Sequence, residues 1–221
     1  MVSVPSPFGA DEDTFDAYDE FVPEHAPVPG EFLDGHRVLD GRRHLAVHRL
    51  ARELFEERAV YDMTFGYNLA RLNCDTRHPD AGYRYAVEDA DVVAEADGTG
   101  DLPTGADDLA EMPADARVLR AEFTPTTAFC PQSDTLTRGS FRAWNGLADR
   151  HEFDLVRVRV APMHQRSTPI NAALREMEAT YVETGEMPDT SDGDGSGPGL
   201  DTEIDDDVPG GPEPDGSRTP F

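Results

Sequence analysis

At 221 residues the chain has room for one core of ordinary size, and at about 100 to 200 residues per domain the expectation is a single domain with tails. Its 45 acidic residues against 19 basic ones leave a formal charge of −26, with arginine as the sole basic residue besides histidine, so nucleic acid and anionic lipid are excluded as partners of the whole chain. Two cysteines are too few for a disulfide framework, no stretch approaches the roughly 20 apolar residues of a membrane span, and the first residues lack a basic, apolar leader, which together point to a cytoplasmic protein.

Residues 1–35 hold Pro5, Pro7, Pro23, Pro27 and Pro29 among scattered acids, and read as an N-terminal arm. Its Phe8, Phe15, Tyr18, Phe21 and Phe32 are available to dock on a body spanning 36–182. There Leu45, Val47, Leu50, Ala51, Leu54 and Phe55 recur at three and four residues, the pattern of an amphipathic helix with Arg49, Glu53, Glu56 and Glu57 on its wet side. His44 and His48, one turn apart, have the spacing of a metal-binding pair, but on this arginine-rich helix they are expected to face solvent. Tyr61, Phe65, Leu69 and Leu72 suggest a second helix, stopping near Asn73 and before Pro79. Val92-Val93 reads as a short strand, and Gly98 to Pro113 as a long polar connection.

Leu119, Ala121 and Phe123 alternate with Arg120 and Glu122 as in a half-buried strand. Pro131 suits a first helical position, after which Leu136, Ser140, Ala143, Trp144 and Leu147 share one stripe. Val156, Val158 and Val160 alternate with Arg157 and Arg159, a strand with one wet face. Thr168 and Pro169 form an N-cap and first-turn pair for a last helix through Ile170, Ala173, Leu174, Met177 and Tyr181. Residues 183–221 offer too little apolar surface to offset ordering costs of about 1 to 2 kcal/mol per residue, and read as a disordered acidic tail. The sum is an α+β domain, a small mixed sheet of about three strands with helices packed on it. A lysine-free acidic surface also fits a salt-filled cytoplasm, because the Debye length shrinks to about 3 Å at 1 M salt.

The strongest candidate for a site is Thr124-Pro125-Thr126-Thr127-Ala128-Phe129-Cys130-Pro131, with His164 34 residues beyond the cysteine and Asn171 seven further on. Cys130 falls at an expected helix start, where exposed amides carry roughly half a positive charge and favour thiolate over thiol. The plain alternative is a small buried hydrophobe. From Cys130 to Glu178 there are seven arginines and six acids, net +1, which leaves −27 on the other 172 residues. Either this face is occupied or packing leaves it less free surface. Cys74 reads as core or a helix end, and a joint metal site of Cys74, His78 and Cys130 rests on residue type alone.

Phe123, Thr124, Pro125, Thr126, Cys130, Leu136, Val156, Val158, Pro162, His164, Asn171 and Leu174 stand in a particular order. A strand ends in Thr-Pro-Thr, a loop presents a cysteine, and a helix, a second strand and a Pro-His loop lead to an asparagine-bearing helix. In this the chain resembles the SufT-like and PaaD-like domains of the MIP18 (DUF59) family, whose members include iron–sulfur assembly and targeting factors. His78-Pro79-Asp80 in place of Asp-Pro-Glu, Phe129 before the cysteine and the short Pro162-Met163-His164 loop mark it as a divergent member. The resemblance implies a non-enzymatic accessory factor in iron–sulfur protein maturation. Its partners would be client iron–sulfur apoproteins or assembly factors, and a homodimer is allowed.

With the two strands side by side, Cys130 and His164 converge, and thiolate plus imidazole suits an iron–sulfur cluster, iron or zinc held transiently. Two ligands do not close such a site, so it is open, completed by a second subunit, or a thiol without metal. Asn171 is read as standing behind the site and bonding loop backbone, while Thr124, Pro125 and Thr126 fix the turn. Two other readings stay open: a protein-interaction adaptor without metal, and a thiol enzyme with Cys130 as nucleophile and His164 as base.

Overall fold

The structure, a computed structural model, describes residues 14–88 and 109–188. The Val92-Val93 strand, most of the Gly98 to Pro113 connection, Phe8 and the stretch from 189 onward lie outside the described residues. In chain order the elements are β1 (Arg37–Val38), α1 (Gly41–Glu57), β2 (Tyr61–Asp62), β3 (Tyr67–Asn68), β4 (Gly82–Val87), β5 (Val118–Thr124), α2 (Ser133–Asn145), β6 (Leu155–Val160) and α3 (Ser167–Thr184). Short 3-10 turns sit at Glu31–Leu33, Leu69–Cys74 and Ala148–Arg150. The main sheet has the order β1-β4-β5-β6, antiparallel except for the β5–β6 pair, and β2 and β3 form a separate hairpin. The architecture is a mixed α+β domain.

Period-two alternation gives the sheet its dry face. The rows Tyr83, Phe123, Val160 and Tyr85, Ala121, Val158 run across the three long strands. They pack with Ala51, Leu54 and Phe55 of α1, Leu136 and Trp144 of α2, and Ile170 and Leu174 of α3 in one core cluster. Tyr83 and Tyr85 reach polar partners through their hydroxyls, Tyr83 donating to Ser140 Oγ at 2.6 Å and Tyr85 lying 3.1 Å from His48 Nδ1. Burial therefore leaves neither phenol unsatisfied.

The expected second helix through Tyr61 and Phe65 is instead the β2–β3 hairpin followed by a 3-10 turn. Asp62 turns the chain there, its Oδ1 accepting the amides of Thr64 and Phe65, and Gly66 adopts φ 70. A side chain that bonds the backbone two residues on competes with helix formation. His44 and His48 also depart from expectation, with 2% and 4% exposure. They stack on each other at 5.6 Å, and Phe21 of the N-terminal segment covers His44. His48 Nε2 donates to the Ala70 carbonyl at 2.8 Å, and burial depresses both rings, His44 to about 3 and His48 to about 4.

The second sheet face was read as wet, and it is buried. Cross-strand rows Arg84, Glu122, Arg159 and Ala86, Arg120, Arg157 line it, with Arg157 and Arg159 exposed by no more than 3%. Glu178 of α3 accepts from Arg157 Nη1 and from Arg159 Nη2 at 2.7 Å, and Glu88 accepts from Arg120 and Arg157. The segment 14–36 lies over much of this side. Gly30 donates its amide to Glu122 at 2.7 Å, Arg120 donates to the Phe32 carbonyl, and the Phe32 ring lies under the guanidinium groups of Arg120 and Arg159. Phe15, Tyr18 and Phe21 likewise sit against Arg71, Arg52 and Arg84. Arginine suits this use because its planar, weakly hydrated head stacks on aromatic faces.

At its outer edge β6 is closed to further strands. Asn145 takes the amide of Val156 and donates to its carbonyl, Asn171 does the same at Val160, and Arg159 donates to the Val158 carbonyl between them. Side chains thus occupy the backbone groups that an added strand would need.

Candidate functional site

Because β5 and β6 run parallel, with Phe123 opposite Val160, the loops that follow them leave the same end of the sheet. Their meeting is direct. Ala161 donates its amide to the Phe123 carbonyl at 2.8 Å, and Gln165 donates to the Ala128 carbonyl at 2.9 Å. The hairpin turn joins them on the other side, since Met63 donates its amide to Gln132 Oε1 at 3.0 Å and Gln132 Nε2 donates to Thr64 Oγ1 at 2.6 Å.

Cys130 and His164 do converge, in a different way from a ligand pair. His164 is buried, at 4% exposure, and its Nε2 donates to the backbone carbonyl of Cys130 at 3.0 Å. Its Nδ1 accepts the Arg166 amide at 3.2 Å. Both ring nitrogens are therefore engaged by backbone, which fixes the neutral Nε2–H tautomer and leaves no lone pair for a metal or for a base role toward the thiol. Among the described residues no group of three or more His, Cys, Asp or Glu could hold a metal ion. Cys130 itself is half-buried and free. It precedes α2, which starts at Ser133 with Gln132 at its N-cap, so the expected helix-start placement shifts by two residues. The Cys130 carbonyl also accepts the Ser133 amide at 3.3 Å, closing a turn before the helix.

The other candidates serve the same frame. Asn171 clamps Val160 from α3 and touches neither Cys130 nor His164 by hydrogen bond. Thr124 extends the β4–β5 ladder opposite Gly82, and Pro125 is buried behind it. The hydroxyls of Thr124 and Thr126 bond no described group, so the prolines and the ladder hold the turn. Cys74 is buried near Asp16 and Arg71, and burial pushes its thiol up to about 11. His78 packs on Phe65, with ring centroids 5.1 Å apart.

What the sequence reading passed over is the surface around this frame. Phe129 is 69% exposed, Met163 47% and Met63 80%, three of the five large apolar side chains exposed among the described residues. All three flank the residues that tie the loops together. The segments 63–70, 124–133 and 161–169 that meet here contain a single Asp, Glu or Arg between them, Arg166, in a chain that is 29% charged. Of the acids that border them, Asp62 is buried and accepts the Thr64 and Phe65 amides, Asp134 pairs with Arg138 at 2.6 Å, and Asp80 stands exposed just before β4 at the same sheet end. A sign was present in the sequence: Phe129 stands between small residues and turn prolines, where no core alternation calls for an aromatic ring.

The sequence profile described as a domain of unknown function, DUF7998, matches residues 13–188. The chain belongs to the DUF7998 family. No curated protein and no solved structure matches it. DUF7998 is a different family from MIP18 (DUF59), so the resemblance drawn from Thr124-Pro125-Thr126, Cys130, His164 and Asn171 is overturned, and the iron–sulfur assembly role implied by it loses its footing. The order of residues that suggested it has a structural cause. Two parallel strands joined by a helix need a turn after the first, and here the histidine and asparagine after the second anchor the two loops to backbone. The DUF7998 profile begins at residue 13, which takes in the described aromatic segment lying over the arginine face.

Proposed function

We propose that this DUF7998 protein is a protein-interaction module that docks a partner on the loop end of its sheet, around Phe129, Met163 and Met63, with no metal at Cys130. One observation carries the reading: three exposed apolar side chains, in a strongly acidic chain, on loop segments that hold one charged residue between them and are cross-tied by hydrogen bonds. An exposed Phe or Met alone is ordinary, whereas several on adjacent rigid loops mark a contact surface. Rigidity lowers the ordering cost of binding. Two other modes are disfavoured by particular contacts. Strand addition at β6 meets the Asn145 and Asn171 clamps, and thiol chemistry at Cys130 has no free imidazole beside it.

The test is a photo-crosslinker attached to Cys130, used in a native extract with the parent chain and with Phe129→Glu/Met163→Glu. The reading expects crosslinked products with the parent and their loss in the variant at unchanged thermal melting. Products that survive the double substitution would reject it.

A further inference from the structure

Residues 14–29 lie on the domain without entering its core, since none of them belongs to the cluster that joins the main sheet to its three helices. Backbone bonds hold the segment at a few points: Asp16 donates to the Cys74 carbonyl at 2.7 Å, and Thr76 and Asp80 donate to the carbonyls of Thr14 and His25. Its rings Phe15, Tyr18 and Phe21 rest on the guanidinium groups of Arg71, Arg52 and Arg84, at 3.9, 4.4 and 5.3 Å. The pair of His25 and Asp16, at 2.5 Å, is internal to the segment and moves with it.

Beneath it lies His44. The Phe21 ring centroid is 4.9 Å from the imidazole, which is 2% exposed and whose Nδ1 has no hydrogen-bond partner. Beside the ring is a cavity of about 20 Å³, lined by Asp16, Tyr18, Glu20 and Phe21 of the segment and by His48 and Cys74 of the body, with room for about one water. A single water cannot hydrate an imidazolium. The titratable and charged groups facing His44 are His48, stacked at 5.6 Å on the same helix, Tyr85 and Arg84 on β4, Cys74 after the 3-10 turn's start, and Asp16, Tyr18 and Glu20 on the segment. Arg84 is paired with Asp40 at 2.5 Å, and Asp16 is engaged by His25. Burial first, then His48 and Arg84, hold His44 down to about 3.

We infer that residues 14–29 form an acid-released strap, latched over His44 and lifting from an intact body when that ring takes up a proton. Lifting opens His44 to water while the core cluster and the contacts of His48 with Ala70 and Tyr85 stay in place. From Gly30 onward the chain remains fastened, by the Gly30 amide on Glu122 and by Phe32 against Arg120 and Arg159. What the strap uncovers is the guanidinium row of Arg52, Arg71 and Arg84, in a chain of charge −26. This device is independent of the docking reading at the loop end. With His44 at about 3 when covered and at 6.5 when open, the open form binds more protons between those limits, so opening is favoured as the pH falls, by about 25-fold from pH 7 to pH 5.

Cys74 reports on the strap, being 6% exposed and sharing the cavity with Asp16 and Tyr18. The experiment is labelling of Cys74 by dithiodipyridine, a disulfide reagent that works in acid, in the full chain carrying Cys130→Ser. Each rate is divided by that of the urea-unfolded chain at the same pH, so that the thiol's own chemistry cancels. The expected result is a protection that falls about 25-fold from pH 7 to pH 5, with a labelling rate nearly flat in urea below the unfolding transition, because opening a strap exposes little surface. In His44→Phe, and in His44→Gln should the larger ring not fit, the protection should no longer depend on pH, whereas Phe21→Ala should lower it already at pH 7. Equal protection at the two pH values overturns the latch. So does a urea slope equal to that of global unfolding, since Cys74 is then reached only when the whole domain opens, and so does a pH dependence that persists without His44.

Discussion

Replacing Glu178 by alanine should be among the most damaging single changes the domain can suffer. Its carboxylate is fully buried and accepts from Arg157 Nη1 and from Arg159 Nη2 at 2.7 Å. Burial draws the Arg159 guanidinium below its ordinary value, and Glu178 is the group that opposes this. Without it Arg159 retains one hydrogen bond, to the Val158 carbonyl, while Arg157 keeps Glu88 at 2.9 Å and the Ala110 carbonyl at 2.9 Å. Removing one partner from a buried ion pair costs about 3–5 kcal/mol, and the contacts left to Arg157 place the loss near the lower end. With a urea m-value of about 2 kcal/mol/M, 3 kcal/mol lowers the unfolding midpoint by about 1.5 M. The triple replacement Arg157→Met/Arg159→Met/Glu178→Leu removes both the pairing and the desolvation cost, and should fall within about 1 kcal/mol of the parent. Equilibrium urea unfolding, repeated at low and molar salt, reads both. A Glu178→Ala shift under about 0.3 M would refute the reasoning, and so would a triple variant as weak as the single one.

Acid should destabilise the fold before most carboxylates titrate. His44 and His48 have folded values of about 3 and about 4 against 6.5 unfolded, so between those limits the unfolded chain binds more protons and stability falls as the pH drops. From pH 7 to 5 each ring accounts for about 2 kcal/mol, checked by melting against pH with His48→Asn, which should flatten the curve. Glu122 acts in the opposite sense, its value being raised by burial, so Glu122→Gln should steepen the acid loss. Asn171→Ala and Asn145→Ala each strip two hydrogen bonds from the β6 edge and should cost about 1–3 kcal/mol, with faster amide exchange at Val160 and Val156 respectively. Gly82→Ala combines φ 118 with a Cβ placed 2.3 Å from Asn73 Oδ1, so it should break the Asn73 clamp on Tyr83 and lower stability by at least about 2 kcal/mol in urea unfolding.

Much of the domain was written in periodicity. Leu45 to Phe55 at helical spacing became α1, Val156 to Val160 became β6, and Trp144 lies in the core as its stripe demanded. Those signals are local, because a helix or strand face is set by residues a few positions apart. Which molecule covers the opposite face is settled elsewhere in the chain. Arg157 and Arg159 look like a wet face beside three valines, and only Glu178 on α3, Glu88 after β4 and Phe32 in the N-terminal segment make them interior. The β4 strand, with Tyr83, Arg84 and Tyr85 in succession, went unread for the same reason, since both its faces are buried by distant partners.

The sequence alone determined the acidic character, the arginine-only basic set and the adjacency of Cys130 and His164 once two strands ran side by side. Tertiary structure alone decided what that adjacency means. A hydrogen bond is assigned by where lone pairs point, and His164 points its two nitrogens at the Cys130 carbonyl and the Arg166 amide, so the ring fastens loops and the thiol stands free. Exposure is likewise a property of the folded surface: Phe129 and Phe123 are the same residue six positions apart, one 69% exposed in the loop before α2 and the other 1% exposed in the core cluster.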